Sequence, residues 1–210
     1  MSNRFIFPVS ILTPRRLFMI FFLLVLSNSI YGQTNWVKEK VVDGITAYSR
    51  IKEGKDYYEF RTVFQVHTSL STISDFICNM NNFKNWMPNC IESIIYKRDN
   101  DSVFYAYTIT EAPWPASNRD VAFKVIREKT SPQVTQITLR GVSYPLSKNN
   151  VRVKDYHAVW ILTAKSPDIV VVDYTASFHP GSNYPNWLIK NSLIDARINV
   201  SQKLIQMLKK

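Results

Sequence analysis

Apolar and polar residues alternate along most of residues 36–179, which is the period of a β-strand with one buried face. The alternating segments are rich in β-branched and aromatic residues, and turn-forming residues separate most of them. Because a parallel crossover needs a dozen or more residues, the short links predict antiparallel neighbours. The predicted strands are Trp36–Val42, Thr46–Lys52, Tyr57–His67, Ile91–Arg98, Ser102–Thr110, Asp120–Lys129, Gln133–Val142, Val151–Ala164 and Ile169–His179.

Two segments have helical periodicity instead. The first covers about Ser71–Met80, and either Ser69 or Ser71 is suited to cap its start. The second covers about Pro185–Leu208, with Pro185 suited to the first helical turn. An array of strands followed by a long terminal helix predicts the α+β class.

The terminal helix carries two apolar bands at 100° per residue. Trp187, Ile194, Ile198 and Ile205 form one band, and Ile189, Leu193, Ala196, Val200, Leu204 and Met207 form the other. Lys190, Arg197 and Ser201 lie between the bands. So wide an apolar surface suits a helix enclosed by a curved sheet, although a buried helix with a broad core face would show the same periodicity.

Two strands flank a loop that contains Pro113, Trp114 and Pro115. Tyr105, Tyr107 and Ile109 share one face of the first strand, and Val121, Phe123 and Val125 share one face of the second. Both sets are predicted to line the interior. Alternation alone does not distinguish a filled core from a cavity.

The N-terminal segment has the pattern of a secretory signal peptide. Arg4, Arg15 and Arg16 precede an unbroken apolar run, Leu17–Leu26, and small residues follow. Ten residues are too few to span a bilayer but fit a signal-peptide core. Residues 1–32 are therefore predicted to be removed after export, although an uncleaved anchor or a buried helix is the alternative. Residues 33–210 are predicted to form one domain in the periplasm or outside the cell.

Charge and composition narrow the candidate functions little. Without the three arginines of the signal segment, 23 of the 26 basic residues remain against 16 acidic ones, a net charge of +7. These charges are dispersed, and no nucleic-acid-binding motif is present. The expected protein is a monomer that makes at most transient contact with an anionic membrane surface.

Cys78 and Cys90 are the two cysteines of the chain, twelve positions apart. An oxidising compartment would allow a disulfide between them, but spacing alone does not establish one. Two buried free thiols remain the alternative.

The chain offers little conventional catalytic chemistry. His67, His157 and His179 lie on different strands, and neither their spacing nor that of the cysteines fits a metal site. No nucleophile elbow or phosphate-binding glycine loop occurs. The sequence therefore predicts no cofactor, no metal and no catalytic residue.

The order and spacing of several motifs, within the predicted layout of strands and helices, resemble the START domain, the StAR-related lipid-transfer module of the helix-grip superfamily, here as an exported bacterial member. These motifs are Trp86, the loop leading into Arg119 and Asp120, the stretch Val151-Arg152-Val153, Tyr174, and Pro185-Asn186-Trp187-Leu188. The resemblance covers about residues 36–208.

The resemblance implies a helix-grip fold, in which a curved antiparallel sheet wraps around the C-terminal helix and encloses a hydrophobic cavity for one lipid-like molecule. Val125 occupies a position where several family members carry an arginine, which implies a less polar cavity. The glycine that usually precedes the last helix is displaced into the stretch 180–184.

The predicted site is therefore a cavity. The candidate ligand-binding residues are Tyr105, Tyr107, Ile109, Trp114, Phe123, Val125, Tyr174, Ile194 and Ile198. Arg119, Asp120 and Trp187 are predicted to be structural, the first two as a pair or cap that fixes the loop. Trp114 is a candidate gate or membrane-contacting residue, and residues 111–117 with 184–188 are the proposed gate.

Three functions are compatible with these features. The first is non-catalytic binding or transfer of a lipid or another hydrophobic molecule in the cell envelope. The second is a cyclase or aromatase of the same fold, with acid–base help from Tyr105, Tyr107, Arg119 or His157. The third is an envelope interaction module without a ligand.

Overall fold

The computed structural model describes residues 35–112, 114, 116–144, 150–179 and 186–209, and for 186–189 it describes the backbone only. The predictions for the signal segment 1–32 and for the side chain of Trp187 lie outside the described residues. The strands are β1 (Val37–Val42), β2 (Ile45–Ile51), β3 (Tyr58–His67), β4 (Cys90–Arg98), β5 (Val103–Thr110), β6 (Arg119–Ser131), β7 (Val134–Gly141), β8 (Val151–Arg152), β9 (Lys154–Ser166) and β10 (Ile169–His179). The helices are α1 (Leu70–Cys78), a 3-10 helix (Met80–Asn85) and α2 (Asn186–Leu208).

In the described residues the strands form a single sheet, in the order β1-β2-β3-β10-β9-β7-β6-β5-β4. Every pairing along this path is antiparallel, as the short links predicted. The sheet is curved and combines with α2 in an α+β, helix-grip arrangement, which confirms the predicted fold class.

One pairing departs from the prediction. The segment Val151–Ala164 is not a single strand, because Val151–Arg152 runs parallel to the start of β6 before the chain enters β9. The backbone amides of Val151 and Val153 donate to the carbonyl oxygens of Asn118 and Asp120, at 2.8 and 2.9 Å. Asp155, the second residue of β9, then adopts a φ of 51°, in the left-handed region. The short strand places Arg152 beside Asp120.

Both predicted helices are present. Ser69 is the residue that caps α1, because its hydroxyl accepts a hydrogen bond from the Thr72 amide at 3.1 Å. Helix α2 packs on β2 and β3. A buried contact of 2.9 Å between the hydroxyls of Ser201 and Thr62 ties its second half to β3.

An aromatic cluster forms part of the hydrophobic core. The rings of Trp160 and Tyr174 stack with centroids 3.7 Å apart, and Trp86 meets Trp160 edge-on at 6.4 Å. Phe83 meets Trp86 edge-on at 4.9 Å. Each such pair contributes about 0.5–1.5 kcal/mol beyond its buried area. The stacking also fixes the ring of Tyr174, whose hydroxyl end reaches the site described below.

The structure decides between the two alternatives for the cysteines. Cys78 and Cys90 are both free and buried, so the disulfide is not formed. Burial raises the pKa of each thiol to about 11. Both side chains therefore act as small apolar core residues.

Candidate ligand-binding cavity

A cavity of about 310 Å³ lies between the sheet and α2. This volume is at the lower end of the range typical of small-molecule sites. The wall is formed by the 3-10 helix and the loop after it, by β5, β6, β9 and β10, by the residue between β8 and β9, and by one side of α2. The lining residues are Phe83, Met87, Pro88, Asn89, Thr108, Thr110, Arg119, Val121, Phe123, Val153, Tyr156, Tyr174, Phe178, Leu193, Ala196, Arg197 and Val200.

The face of the sheet that packs against α2 is called the inner face here, and the opposite one the outer face. On β6 the inner face carries Arg119, Val121 and Phe123, all of which line the cavity. Thr108 pairs with Val121 and Thr110 pairs with Arg119 across the β5–β6 ladder. Directly paired residues share a face, so the even-numbered residues of β5 point inward.

This register contradicts the predicted face of β5. Tyr105, Tyr107 and Ile109 pair with Lys124, Ala122 and Asp120, and these six residues lie on the outer face. None of the three lines the cavity. The prediction failed because large aromatic rings that alternate along a strand resemble a core face. Here the tyrosine rings cover the outer face instead, where the hydroxyl groups can form hydrogen bonds.

A buried ion pair occupies the outer face at this point. Asp120 is fully buried, and its carboxylate accepts hydrogen bonds from Arg152 at 2.7 and 3.1 Å and from the Tyr107 hydroxyl at 2.9 Å. The hydrogen bond to Asp120 raises the pKa of the Arg152 guanidinium against the opposing effect of its burial. Asp120 thus joins β5, β6 and β8, which is a structural role.

Arg119 and Asp120 do not form the predicted pair. As neighbours on one strand their side chains point to opposite faces. Arg119 lines the cavity and donates a hydrogen bond to the Ser117 carbonyl at the end of the preceding loop. The carboxylate's partner is Arg152, which is 32 positions further along the chain and could not be identified from spacing.

Three other predicted wall residues lie in the closed core. Val125, Ile194 and Ile198 are buried in the hydrophobic cluster and do not line the cavity. Helix α2 contributes Leu193, Ala196, Arg197 and Val200 instead. The cavity therefore faces the second apolar band of the helix and the polar strip beside it. Phe123 and Tyr174 do lie on the wall, and their contact with a ligand remains a prediction.

Trp114 is 93% exposed and forms no part of the cavity wall. Its placement among the ligand contacts is therefore wrong in this conformation. A role at a membrane surface or as a gate stays a prediction. The helix-side half of the proposed gate, residues 184–188, falls mainly outside the described residues.

Arg197 is the most polar group that α2 presents to the cavity. It donates a hydrogen bond to the Tyr174 hydroxyl at 2.9 Å, and its guanidinium lies 5.5 Å from the centre of the Phe178 ring. Its Nε atom is buried and has no hydrogen-bond partner among the described residues. The sequence signal for Arg197 is its place between two apolar bands of one helix, which is an unusual setting for a permanent charge.

Tyr156 also lines the cavity, and nothing in the sequence indicated this. Its ring stacks on Phe123, with centroids 5.6 Å apart. Burial raises the pKa of Tyr156, the neighbouring Tyr174 raises it further, and Arg197 opposes both. The phenol therefore stays protonated and offers a hydrogen-bond donor.

Residues with catalytic potential are sparse in the described part of the chain. No group of three histidine, cysteine or acidic side chains there could hold a metal ion. His157 pairs with Ser177 and Arg140 on the outer face. Burial lowers the pKa of His157, and the charges of Lys52 and Arg140 lower it further. Among the described residues, no helix has both the length and the apolar character needed to cross a bilayer.

Comparison with known proteins agrees with this geometry. The profile of the START domain matches residues 25–210, so the chain belongs to the START domain family.

Three relatives illustrate its place there. The crystal structure of a STAR-related lipid transfer protein from Xanthomonas axonopodis is 28% identical, with a TM-score of 0.76 over 83% of this chain and 99% of that one. An uncharacterized protein of Pseudomonas aeruginosa is 26% identical over 86% of this chain and 93% of its own length. The phosphatidylcholine transfer protein of Mus musculus is 25% identical over 74% of this chain and 75% of its own length.

Proposed function

We propose that this protein binds a lipid or another hydrophobic small molecule in the cell envelope and carries or holds it without chemical change. The observation that supports the proposal most is the cavity of about 310 Å³ between the sheet and α2, with a wall made largely of apolar side chains. The family membership points in the same direction.

The driving force would be desolvation of the ligand. Each Å² of apolar surface removed from water contributes roughly 25 cal/mol, so a ligand that buries about 300 Å² gains about 7.5 kcal/mol before the costs of association. Val121, Phe123, Leu193 and Val200 would supply most of the apolar contact.

The relatives support transfer in addition to binding. The structure from Xanthomonas axonopodis is described as a lipid transfer protein, and the mouse relative as a phosphatidylcholine transfer protein. We extend to this chain the general activity, exchange of a lipid with a membrane, and not the particular lipid.

The position of the candidate acid–base residues supports a non-catalytic function. Tyr105, Tyr107 and His157 would have to reach the ligand in a cyclase, but all three lie on the outer face. Arg119 alone of the four candidates lines the cavity. An arginine remains protonated throughout the physiological range and is therefore a poor general base.

The test of binding is native mass spectrometry of the protein purified from the envelope of its own cells, followed by lipid extraction. We expect a monomer with one ligand. An Ala196→Phe variant fills the cavity and should lose that mass, whereas Asn199→Phe, on the exposed side of the same helix, should keep it. A folded wild-type protein that carries and accepts no hydrophobic molecule would contradict the proposal and favour the interaction module.

Transfer and the absence of turnover need a second assay. Fluorescent phospholipid should move between vesicles faster with the wild type than with Ala196→Phe, and extracted ligand should have the same mass before and after incubation. A ligand converted to a new compound would instead support an enzyme.

Localisation rests on the N-terminal pattern of residues 1–32 and is tested separately. We expect a protein with a mature N-terminus near Gln33 in the periplasmic or secreted fraction. Replacing Leu23 and Leu24 by arginine should retain the full-length chain in the cytoplasm. Cytoplasmic wild-type protein with an intact Met1 would contradict export.

Trp114 supports transient contact with a membrane, because an exposed tryptophan favours the interface between water and lipid. A Trp114→Ala variant should bind vesicles of anionic phospholipid more weakly than the wild type in a co-sedimentation assay. Equal binding by both proteins would remove Trp114 from this role.

A further inference from the structure

The charges of the cavity wall are all of one sign. Arg119 and Arg197 are the charged residues among those that line it, and no carboxylate is part of the described wall. Acidic residues that lie near α2 or on β10 are paired elsewhere. Asp195 pairs with Lys40, Glu39 pairs with Lys190, and Asp173 pairs with Arg61.

Several arginines of the sheet have carboxylate partners. Arg61 contacts Asp173 at 2.5 Å, Arg50 contacts Glu59 at 2.5 Å, and Arg152 contacts Asp120 at 2.7 Å. Within the described residues, Arg197 has no such partner although it is partly buried. Its contacts there are the Tyr174 hydroxyl and the faces of two aromatic rings.

A guanidinium in this setting favours an anion. Arginine does not lose its proton in proteins, and removing its charge from water is costly unless an opposite charge or hydrogen-bond acceptors compensate. The Tyr174 hydroxyl accepts from Arg197, so its own proton is free to point elsewhere. Tyr156 lines the same cavity as these two residues and carries a second hydroxyl. Arg197, Tyr174 and Tyr156 therefore supply hydrogen-bond donors to a wall that is largely apolar.

We propose that the ligand is an amphipathic molecule with one anionic head group, a carboxylate or a phosphate ester, which Arg197 binds while the apolar body contacts Val121, Phe123 and Leu193. This inference rests on the proposed function and specifies the ligand class of the same cavity. The buried Nε of Arg197 would gain an acceptor, and the Tyr174 and Tyr156 hydroxyls would donate to the remaining oxygens. Arg119, at the loop end of the wall, is a second cation for a head group of higher charge.

The test compares probes that share one hydrocarbon chain and differ in charge. Delipidated protein is loaded with the neutral dye Nile red, which is then displaced by each member of two matched pairs. The first pair is anionic oleate and neutral oleyl alcohol, and the second is anionic 1-oleoyl lysophosphatidate and neutral monoolein. Both pairs are used below their micellar concentrations. Inorganic phosphate is a fifth competitor, which separates a head group held by its chain from a free anion.

For the wild type we expect each anionic probe to displace the dye at least about tenfold more tightly than its neutral counterpart, the gain typical of a charge-assisted hydrogen bond. Inorganic phosphate should not displace it. Arg197→Gln should lose the preference for the anion while still binding the neutral probes. Arg197→Lys should keep part of the preference, and Lys203→Gln, which removes an exposed charge of the same helix, should keep all of it.

The outcomes separate this inference from the proposed function. Equal affinity for charged and neutral probes would overturn the inference and leave hydrophobic binding intact, as would a preference that survives in Arg197→Gln. Displacement by inorganic phosphate alone would also overturn it. A wild type that binds none of the probes and none of the dye would contradict the proposed function itself. Circular dichroism and thermal melting of each variant show whether a loss of binding reflects a loss of fold.

Discussion

Two clusters of arginine and tyrosine lie at opposite faces of the same sheet. The outer cluster contains a carboxylate, and the described part of the inner cluster does not. On the outer face, Arg152 and Tyr107 both bind Asp120, and the polar groups satisfy one another. On the inner face, Arg197 binds the Tyr174 hydroxyl beside a cavity, with no carboxylate in the described wall. The first cluster is complete as a structural element, whereas the second has hydrogen-bonding capacity left for a ligand.

The adjacent residues Arg119 and Asp120 show how the sheet separates these roles. One step along β6 moves a side chain from the cavity wall to the buried outer pair. The two residues that were predicted to act together as a structural pair or cap are therefore divided, because Asp120 is structural and Arg119 lines the cavity.

The largest expected effect comes from breaking the outer cluster. Asp120→Asn leaves the Arg152 guanidinium without its carboxylate in a site where Asp120 is fully buried, so the free energy of unfolding should fall by about 3–5 kcal/mol. Urea denaturation measures it. Asp99→Asn, which removes an exposed partner of Lys97, should change it by less than about 1 kcal/mol. Similar values for the two variants would mean that the outer cluster is not structural.

Acid should lower the free energy of unfolding by protonating Glu59, a second buried carboxylate of the outer face. Burial opposes ionisation of Glu59, but hydrogen bonds from Lys52 and Arg50 outweigh it and hold the pKa of Glu59 below its usual value of 4.5. A lowered pKa stabilises the folded protein above about pH 4.5 and this contribution disappears as the pH falls through the folded value.

Glu59→Gln tests this contribution. The variant should be less stable than the wild type by about 2 kcal/mol at pH 7, and the difference should shrink below pH 4.5. Urea denaturation across the pH range gives both numbers. A difference that stays constant down to pH 3 would exclude the ionised carboxylate as the cause.

Removing the charge of the inner cluster should not lower the free energy of unfolding, in contrast to the outer cluster. Arg197→Met removes a partly buried charge that has no carboxylate partner, so the delipidated protein should be as stable as the wild type or up to about 1 kcal/mol more stable. Arg152→Met makes the same substitution in the outer cluster and should be less stable than the wild type, because it removes the arginine partner of Asp120. If both variants lost the same stability, the two clusters would be equivalent and the comparison would fail.

The smallest effect is expected from the thiols. Burial raises the pKa of Cys78 and Cys90 to about 11, so neither should react with Ellman's reagent in the folded protein at pH 8, and both should react in urea. Dithiothreitol should leave the melting temperature unchanged. A lower melting temperature under reducing conditions would reveal a disulfide.

Strand positions and the terminal helix could be predicted because they depend on local periodicity. The predicted span Pro185–Leu208 agrees with α2 throughout Asn186–Leu208. The division of Val151–Ala164 into β8 and β9 could not be predicted, because it depends on the parallel pairing with β6 rather than on the composition of the segment.

The wall of the cavity was harder to predict because it depends on which face of each strand turns inward. Eight residues connect β5 to β6, and a loop of that length does not fix the register as a two-residue turn would. A shift by one residue exchanges Tyr105 and Tyr107 for Thr108 and Thr110 on the wall. Small threonine side chains leave the space that tyrosines would fill.

The most direct test of the account is to photolabel the protein with a diazirine analogue of oleate and map the labelled peptides by mass spectrometry. The cavity predicts labels on inner-face residues such as Phe123, Tyr156, Tyr174 and Leu193, competed by unlabelled oleate and lost in Ala196→Phe. Labels concentrated on Tyr96, Tyr105 and Lys124 of the outer face, or labels that Ala196→Phe leaves unchanged, would contradict it.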